Sequence, residues 1–382
     1  MSSPSSRQEG RPLPVVVLGS GRIGRLVVRL LADCGDYIVT AVDGNEEVAQ
    51  RAALDGDGRP LPGVTAATAD FANTEQLQAL LEGQAYVVSC APYWCNTTIA
   101  RIAGELGVHY LDLTEDVRTT KAIMQMAEEG KVAYMPQSGL APGFIQIVAA
   151  HLAKDFERLD EVKMRVGALP LFPHNRLKYN LTWSTDGLIN EYGNPCEAIV
   201  DGEATWVQPL HGHETFSIDG VDYEAFNTSG GLGTLAETLA GEVRTLNYKT
   251  IRYPGHRDAM AMLMFDFKLN DDRDTLKAIL ERALPHTHQD VVVVFVTVTG
   301  WRNGEYAQEA VARKIYHRHM GGSNWGAIQV TTASGVCAVL DLHAAGRLPQ
   351  AGFIRQEDVA YEDFINNRFG KNLAANTVVE AS

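Results

Sequence analysis

The sequence predicts an α/β protein: a doubly wound parallel sheet, followed by an α+β region with a mostly antiparallel sheet. Three observations predict it. The β-forming run Val15-Val-Val-Leu18 leads directly into Gly19-x-Gly21-x-x-Gly24 and an apolar helical pattern over Ile23 to Leu31. Strand and helix patterns then alternate to about residue 150, the rhythm of parallel strands joined by crossover helices. Beyond Asp160 the strand runs follow one another with turn signals such as Gly230-Gly231 and Gly321-Gly322 between them, which favours antiparallel pairing.

The first strand, Val15–Gly19, and its glycines carry the fingerprint of a Rossmann dinucleotide site. Gly19 permits the tight turn, Gly21 lets a pyrophosphate approach the backbone, and Gly24 lets the helix pack on the strand. The helix start, with Arg22 and Ile23, offers free N–H groups to phosphate. The second strand, Tyr37–Asp43, ends on an acid about 20 residues past the motif, where a ribose 2′-hydroxyl is held. Gly44, Asn45, Glu46 and Glu47 follow, with no cation for a 2′-phosphate, so NAD is expected over NADP. Further strands are expected at Val64–Thr68, Ala85–Ala91, Tyr110–Leu113 and Val132–Pro136. Helices are expected at Thr74 to Leu81, Thr97 to Leu106 and Arg118 to Glu129, with Gly107 and Gly130 as stops. Ligands in such sheets sit at the carboxyl ends of strands. Those ends carry Gly19, Asp43, Asp70, Ala91-Pro92-Tyr93, Asp112 and the turn from Gln137 to Gly143, which includes Pro142.

In the second region, strands are expected at Glu161–Leu169, Ala198–Val200, Phe216–Ile218, Thr245–Tyr253, Val291–Thr299 and Ala307–Tyr316. A helix is expected from Gln329 to Gly346, returning to an edge of the first domain. The resulting division is a disordered lead-in over 1–12, an NAD-binding domain over 13–150, a catalytic domain over 151–328 and a returning helix and tail over 329–382.

The 382-residue chain has 45% hydrophobic and 21% charged residues, the composition of a globular enzyme with two cores. A net charge of −14 argues against nucleic acid or an anionic membrane as partner. No apolar run reaches the ~18–20 residues of a spanning helix. The N-terminal segment lacks the apolar stretch of a signal peptide. Five cysteines without a C-x-x-C pair fit a reduced, cytoplasmic setting. The histidine pairs His286/His288 and His317/His319 lack further ligands at metal-site spacing, so no metal is expected.

Several blocks point further: Gly107-Val-His-Tyr-Leu-Asp-Leu113, Gly139-Leu-Ala-Pro-Gly143, Tyr179-Asn180 leading to Trp183-Ser184, Glu224 to Gly231, and Tyr248-Lys-Thr-Ile-Arg-Tyr-Pro-Gly-His256. With the glycine fingerprint they resemble the saccharopine dehydrogenase family over about Val15 to Gly370. The short path from Thr228-Ser229 to Tyr248 resembles its lysine 6-dehydrogenase branch, whereas Ala91-Pro-Tyr-Trp-Cys-Asn96 keeps the Pro-Tyr of the saccharopine branch. The resemblance implies NAD(P)-dependent oxidation at a carbon–nitrogen bond of an amino-acid substrate, and a homo-oligomer.

Such chemistry needs a cation for the substrate carboxylate and an anion or base for its amine. Arg252 is the first choice for the carboxylate, or else a structural ion pair. Thr228 and Ser229 are hydroxyl donors or a turn, and Arg176 and Lys178 are reserve cations. Asp112 is expected to face the cleft and hold the amine or take its proton, or else to cap a turn. Tyr93 would touch nicotinamide or substrate, or pack beneath them. His256 is a general base or a structural histidine. Trp183 walls the pocket or packs in the core. Three readings of function stay open: oxidation of L-lysine or a lysine-derived amine, saccharopine oxidation or its reverse, and a non-catalytic NAD sensor. A polyamine-forming reductase is a further rival.

Overall fold

The structure, a computed structural model, describes residues 11–128 and 130–374. Most of the expected N-terminal lead-in, the end of the tail and Glu129 lie outside the described residues. The chain forms two compact units. The first holds the described residues of Met1–Phe144 with His319–Trp325 and Gln329–Ala374. The second holds Ile145–Arg318 and Gly326–Ile328.

In the first unit, β1 (Leu13–Leu18), β2 (Tyr37–Asp43), β3 (Val64–Thr68), β4 (Tyr86–Ser89), β5 (His109–Asp112) and β6 (Ala133–Met135) are all parallel. Their order is β3-β2-β1-β4-β5-β6, with the switch point between β1 and β4. Val15 to Leu18 are fully buried, as expected of a strand covered on both faces. Helices Arg22–Asp33, Thr74–Leu81, Tyr93–Leu106 and Val117–Ala127 supply the covering layers. Gly107 ends the third of these in the left-handed conformation, at φ 77°. Leu18, Val42, Leu77, Val87, Ile99 and Tyr110 belong to one shared core.

The C-terminal helix, Ala327–Ala344, does more than return. After it, Gly352–Phe353 adds a seventh parallel strand beside β6. This helix is long and apolar enough to cross a membrane, but 89% of it is buried inside the protein, so it is a core helix here.

The second unit is built on β7 (Arg158–Pro170), β8 (Cys196–Val200), β9 (Glu203–Val207), β10 (Glu214–Ile218), β11 (Val221–Asn227), β12 (Val243–Arg252), β13 (Asp290–Arg302) and β14 (Glu305–Tyr316). The sheet runs β10-β11-β12-β7-β13-β14, with β8 and β9 branching from β12. Only the β7–β12 pairing is parallel. The sheet is therefore mostly antiparallel, as the sequence predicts. Alternation along β12 sends Ile251 into an apolar cluster with Leu169 and Tyr223. Arg252 is carried to the opposite face, and its side chain reaches Tyr192 on the helix Thr185–Gly193.

Candidate active site

The glycine turn has the geometry its spacing implies. Gly19 sits at φ 88°. A Cβ on Gly24 would collide with the Gly19 carbonyl, so the helix can approach β1 only with glycine there. A Cβ on Gly21 would meet nothing within 4 Å. Gly21 is the N-cap of helix Arg22–Asp33; no side chain caps that end and no acid occupies its first turn. Its N–H groups and positive dipole end are therefore available to an anion. Arg22 is exposed and Ile23 half-buried at the same helix start. At the end of β2, Asp43 is half-buried and accepts from Ser20 N at 2.9 Å and Asn45 N at 3.0 Å. One bond to each oxygen leaves lone pairs for ligand hydroxyls. Open backbone, an uncapped helix start and a carboxylate one strand away fit the pyrophosphate and ribose of a dinucleotide.

Other predicted cofactor residues lie along the same carboxyl edge of the sheet. Asp70 is exposed and accepts from Ala72 N at 2.9 Å, shaping the turn after β3. Ala91 and Pro92 lead into helix Tyr93–Leu106, with Pro92 as its N-cap. Tyr93 is half-buried, edge-on to the exposed Trp94 at 5.2 Å. Pro142 and Gly143 are buried in the turn after β6, where Phe144 N bonds to Gly139 O at 3.0 Å.

Asp112 departs from expectation. It is 0% exposed, and both its oxygens are committed. Oδ1 accepts from Gln137 N at 2.8 Å and Thr114 N at 3.0 Å. Oδ2 accepts from the Tyr110 hydroxyl at 2.8 Å and Asn96 Nδ2 at 3.3 Å. Asn96 is held in turn by Ser89 Oγ at 2.7 Å. Burial pushes the Asp112 carboxyl up to about 6, against the pull of these donors. Asp112 thus ties the ends of β4, β5 and β6 together and presents no face to a ligand.

A ladder of local bonds continues past it: Thr114 Oγ1 accepts from Asp116 N at 3.1 Å, and Asp116 caps helix Val117–Ala127 through Thr119 N at 2.7 Å. Glu115, between these rungs, is half-buried, and burial followed by the charges of Asp116 and Asp112 pushes it to about 7. The sequence does not single it out, because Glu115 lies past the end of β5 and only its burial in the folded chain shifts it.

In the second unit, Arg252 is 3% exposed. Its Nε donates to the Tyr192 hydroxyl at 2.7 Å and its Nη1 to Ile251 O at 2.8 Å. The guanidinium lies over the Tyr179 ring at 4.9 Å. Among the described residues it forms no ion pair, so the alternative of a structural salt bridge falls away. Two buried hydroxyls of this neighbourhood, on Tyr179 and Thr182, make no hydrogen bond.

The remaining predicted residues have other tasks. Ser229 donates to Asn190 O at 3.2 Å and so has spent its proton. Thr228 is paired with Thr250 at 2.7 Å, leaving one hydroxyl proton between the two. Trp183 is half-buried, its ring lying against Gly187 of the following helix. Arg176 is exposed on the loop after β7. His256 is 1% exposed, with Nε2 bonded to Tyr192 at 3.0 Å and Nδ1 to Leu177 O at 2.8 Å. Burial, then the Arg252 charge, lowers it to about 3. Both ring nitrogens are occupied inside the protein, so His256 is not placed to act as a general base. Tyr192 was invisible in the sequence because Thr185 to Gly193, with its Asp-Gly and Gly-Asn signals, reads as a loop.

Two family models together cover residues 15–378. Residues 15–138 match the saccharopine dehydrogenase NADP binding domain, and residues 139–378 match the saccharopine dehydrogenase C-terminal domain. The chain belongs to the saccharopine dehydrogenase family. Among curated relatives, the mitochondrial alpha-aminoadipic semialdehyde synthase of Rattus norvegicus is 23% identical over 79% of this chain and 33% of its own length. Its Mus musculus counterpart is 22% identical over 81% and 33%. The chain thus spans about a third of the length of these relatives.

Among solved structures, the L-Glu-forming saccharopine dehydrogenase of Saccharomyces cerevisiae aligns with a TM-score of 0.75 at 17% identity, covering 93% of this chain and 97% of that one. The homospermidine synthase of Legionella pneumophila, solved with NAD, gives 0.66 at 14% identity, covering 96% and 90%. These likenesses establish the fold. Family membership and the glycine-turn geometry together give the chain a nicotinamide-dinucleotide-binding domain.

Proposed function

We propose that the protein oxidises the amine of L-lysine, or of a lysine-derived amino acid, to an imine, with NAD as hydride acceptor. The observation that carries this reading is Arg252, a buried guanidinium that forms no ion pair among the described residues, although the charge of Glu191 acts on it. A buried charge is normally paired, because desolvation costs several kcal/mol per ion (roughly) when nothing answers it. One hydrogen-bonded only by the Tyr192 hydroxyl and the Ile251 carbonyl suits a ligand carboxylate. The bound nicotinamide would supply hydride acceptance. Gly21 and the uncapped helix would hold its pyrophosphate, and Asp43 the ribose hydroxyl, which favours NAD over NADP.

Saccharopine is the second reading, favoured by membership of the saccharopine dehydrogenase family and by the likeness to the yeast saccharopine dehydrogenase. Its three carboxylates call for several cations. Among the described residues of the second unit, the buried cations Arg165 and Lys249 are engaged: both pair with Glu214, the latter at 3.3 Å. Among the described residues of this unit, Arg252 is the buried cation without an ion pair, which supports a substrate with one carboxylate. NAD reduction measured over lysine, saccharopine, ornithine and diamines decides between them. Turnover of saccharopine without lysine would overturn the first reading, and no turnover of any amine would favour an NAD-binding sensor.

A further inference from the structure

The hydrogen bonds behind Arg252 form a chain with a fixed direction. The guanidinium can only donate, so the Tyr192 oxygen accepts from Nε at 2.7 Å. The single Tyr192 proton is then free for His256 Nε2, 3.0 Å away. That nitrogen must be an acceptor, so the proton of a neutral His256 sits on Nδ1 and donates to Leu177 O at 2.8 Å. Each group has one consistent role, and the chain ends on a backbone carbonyl. Tyr192 and His256 are 0% and 1% exposed, so water does not compete for these bonds. The side chains are also packed: the His256 ring stacks on Phe226 at 6.4 Å and lies 5.3 Å from Tyr179, the ring beneath Arg252. With Nε held by Tyr192 and one Nη1 proton held by Ile251 O, Nη2 and the second Nη1 proton remain, the edge that pairs bidentately with a carboxylate.

We propose that Tyr192 and His256 are positioning residues that fix the rotamer of Arg252 for the substrate's carboxylate. This rests on the reading of Arg252 given above. The neutral relay has a physical reason: a carboxylate hydrogen-bonded at Tyr192's place would also orient Arg252, but it would add to the negative charge that Glu191 already exerts and weaken the pull on a substrate carboxylate.

The test compares ligands that differ only in the carboxylate. Binding of L-lysine, of 1,5-diaminopentane and of saccharopine is measured by calorimetry on the full chain loaded with NADH, which cannot accept a hydride, for wild type, Tyr192→Phe, His256→Leu, His256→Gln and Arg252→Lys. Tyr192→Phe and His256→Leu are expected to weaken the carboxylate-bearing ligand about ten-fold, the worth of one lost hydrogen bond. The diamine should be unaffected. His256→Gln, which can still accept from Tyr192, should recover most of the loss. In turnover the same variants should raise KM more than they lower kcat. An 15N spectrum should show His256 neutral with its proton on Nδ1.

Equal weakening of the diamine would reduce both residues to structural support and overturn the proposal. So would unchanged lysine and saccharopine binding in Tyr192→Phe and His256→Leu alongside a loss in Arg252→Lys, which would leave the carboxylate reading standing. Undiminished binding in Arg252→Lys, or no binding of either amino acid by wild type, would overturn that reading itself and the relay with it.

Discussion

Replacing Asp112 separates a structural hub from a catalytic acid. Asp112→Ala would strand four buried donors: Gln137 N, Thr114 N, the Tyr110 hydroxyl and Asn96 Nδ2. Each stranded donor costs about 1–3 kcal/mol, so the sum is on the order of 4–12 kcal/mol. That approaches the ~5–15 kcal/mol that holds a whole domain. Asp112→Asn should be mild by comparison. Its oxygen can still take the two backbone donors, the Tyr110 hydroxyl can turn to accept, and a flip of Asn96, accepted by Ser89 Oγ, restores the rest.

The pH dependence carries a sign. The folded carboxyl titrates at about 6 and its reference value is 3.8, so between those values the native state holds the proton that the unfolded chain has lost. Stability from this group is therefore fully present at acid pH and falls as pH rises through that window, by roughly 3 kcal/mol. Buried histidines such as His256 titrate in the opposite sense, so the wild type-minus-Asn difference is the quantity to read. The assay is calorimetric unfolding from pH 4 to 8 with NADH binding as a check on the first unit. Asp112→Ala should lower Tm by about 10 °C or more. An alanine variant within about 3 °C of wild type would refute the hub. An asparagine variant that folds and binds NADH but loses about a thousand-fold in turnover would restore the catalytic reading.

Other outcomes follow from the same geometry. Gly21→Ala meets open space, so Tm should hold while dinucleotide affinity drops about ten-fold or more. Gly24→Ala should lose stability itself, because its Cβ collides with Gly19 O, and equal effects of the two in a thermal-shift and binding assay would contradict the assigned roles. Asp43→Ala should lose preference for NAD over NADP in paired binding titrations, at a small stability cost from the freed Ser20 and Asn45 N–H groups. Glu115→Gln should remove an inflection near pH 7 from the kcat/KM profile, and an unchanged profile would dismiss Glu115 as a proton acceptor.

The nucleotide-binding sheet was legible because each strand is a short apolar run punctuated by turn residues. β2, β3 and the helix Thr74–Leu81 have the expected bounds. What escaped was set by partners rather than by local pattern. Gly352–Phe353 is a strand only because β6 offers it an edge. β9 is exposed along most of its length and has no apolar alternation to announce it. Helix Thr185–Gly193 is capped by Ser184, whose oxygen accepts from Gly187 N at 3.2 Å, but its glycines mask the periodicity. Asp112 was misjudged for a similar reason. Position at a strand's carboxyl end is readable, whereas the direction of a side chain depends on whether neighbours consume it, and Tyr110, two residues earlier on the same face, does.

The loop after β6 is held from both sides. Asp112 takes Gln137 N with its side chain and Ser138 N with its carbonyl, the latter at 2.9 Å. From the C-terminal segment, Gln356 Nε2 donates to Pro136 O at 2.9 Å and Ser138 Oγ at 3.0 Å. Gln137 sits at φ 61°, a conformation that residues other than glycine adopt only when their surroundings impose it. Those surroundings come from two parts of the chain separated by more than 200 residues. The returning C-terminal segment is therefore part of the nucleotide-binding unit's construction, because Gln356 supplies two of the bonds that set the shape of the turn leading to Pro142 and Gly143. A glycine fingerprint can announce the pyrophosphate end of such a site by itself; the opposite end of the sheet takes its shape only once the chain has come back to it.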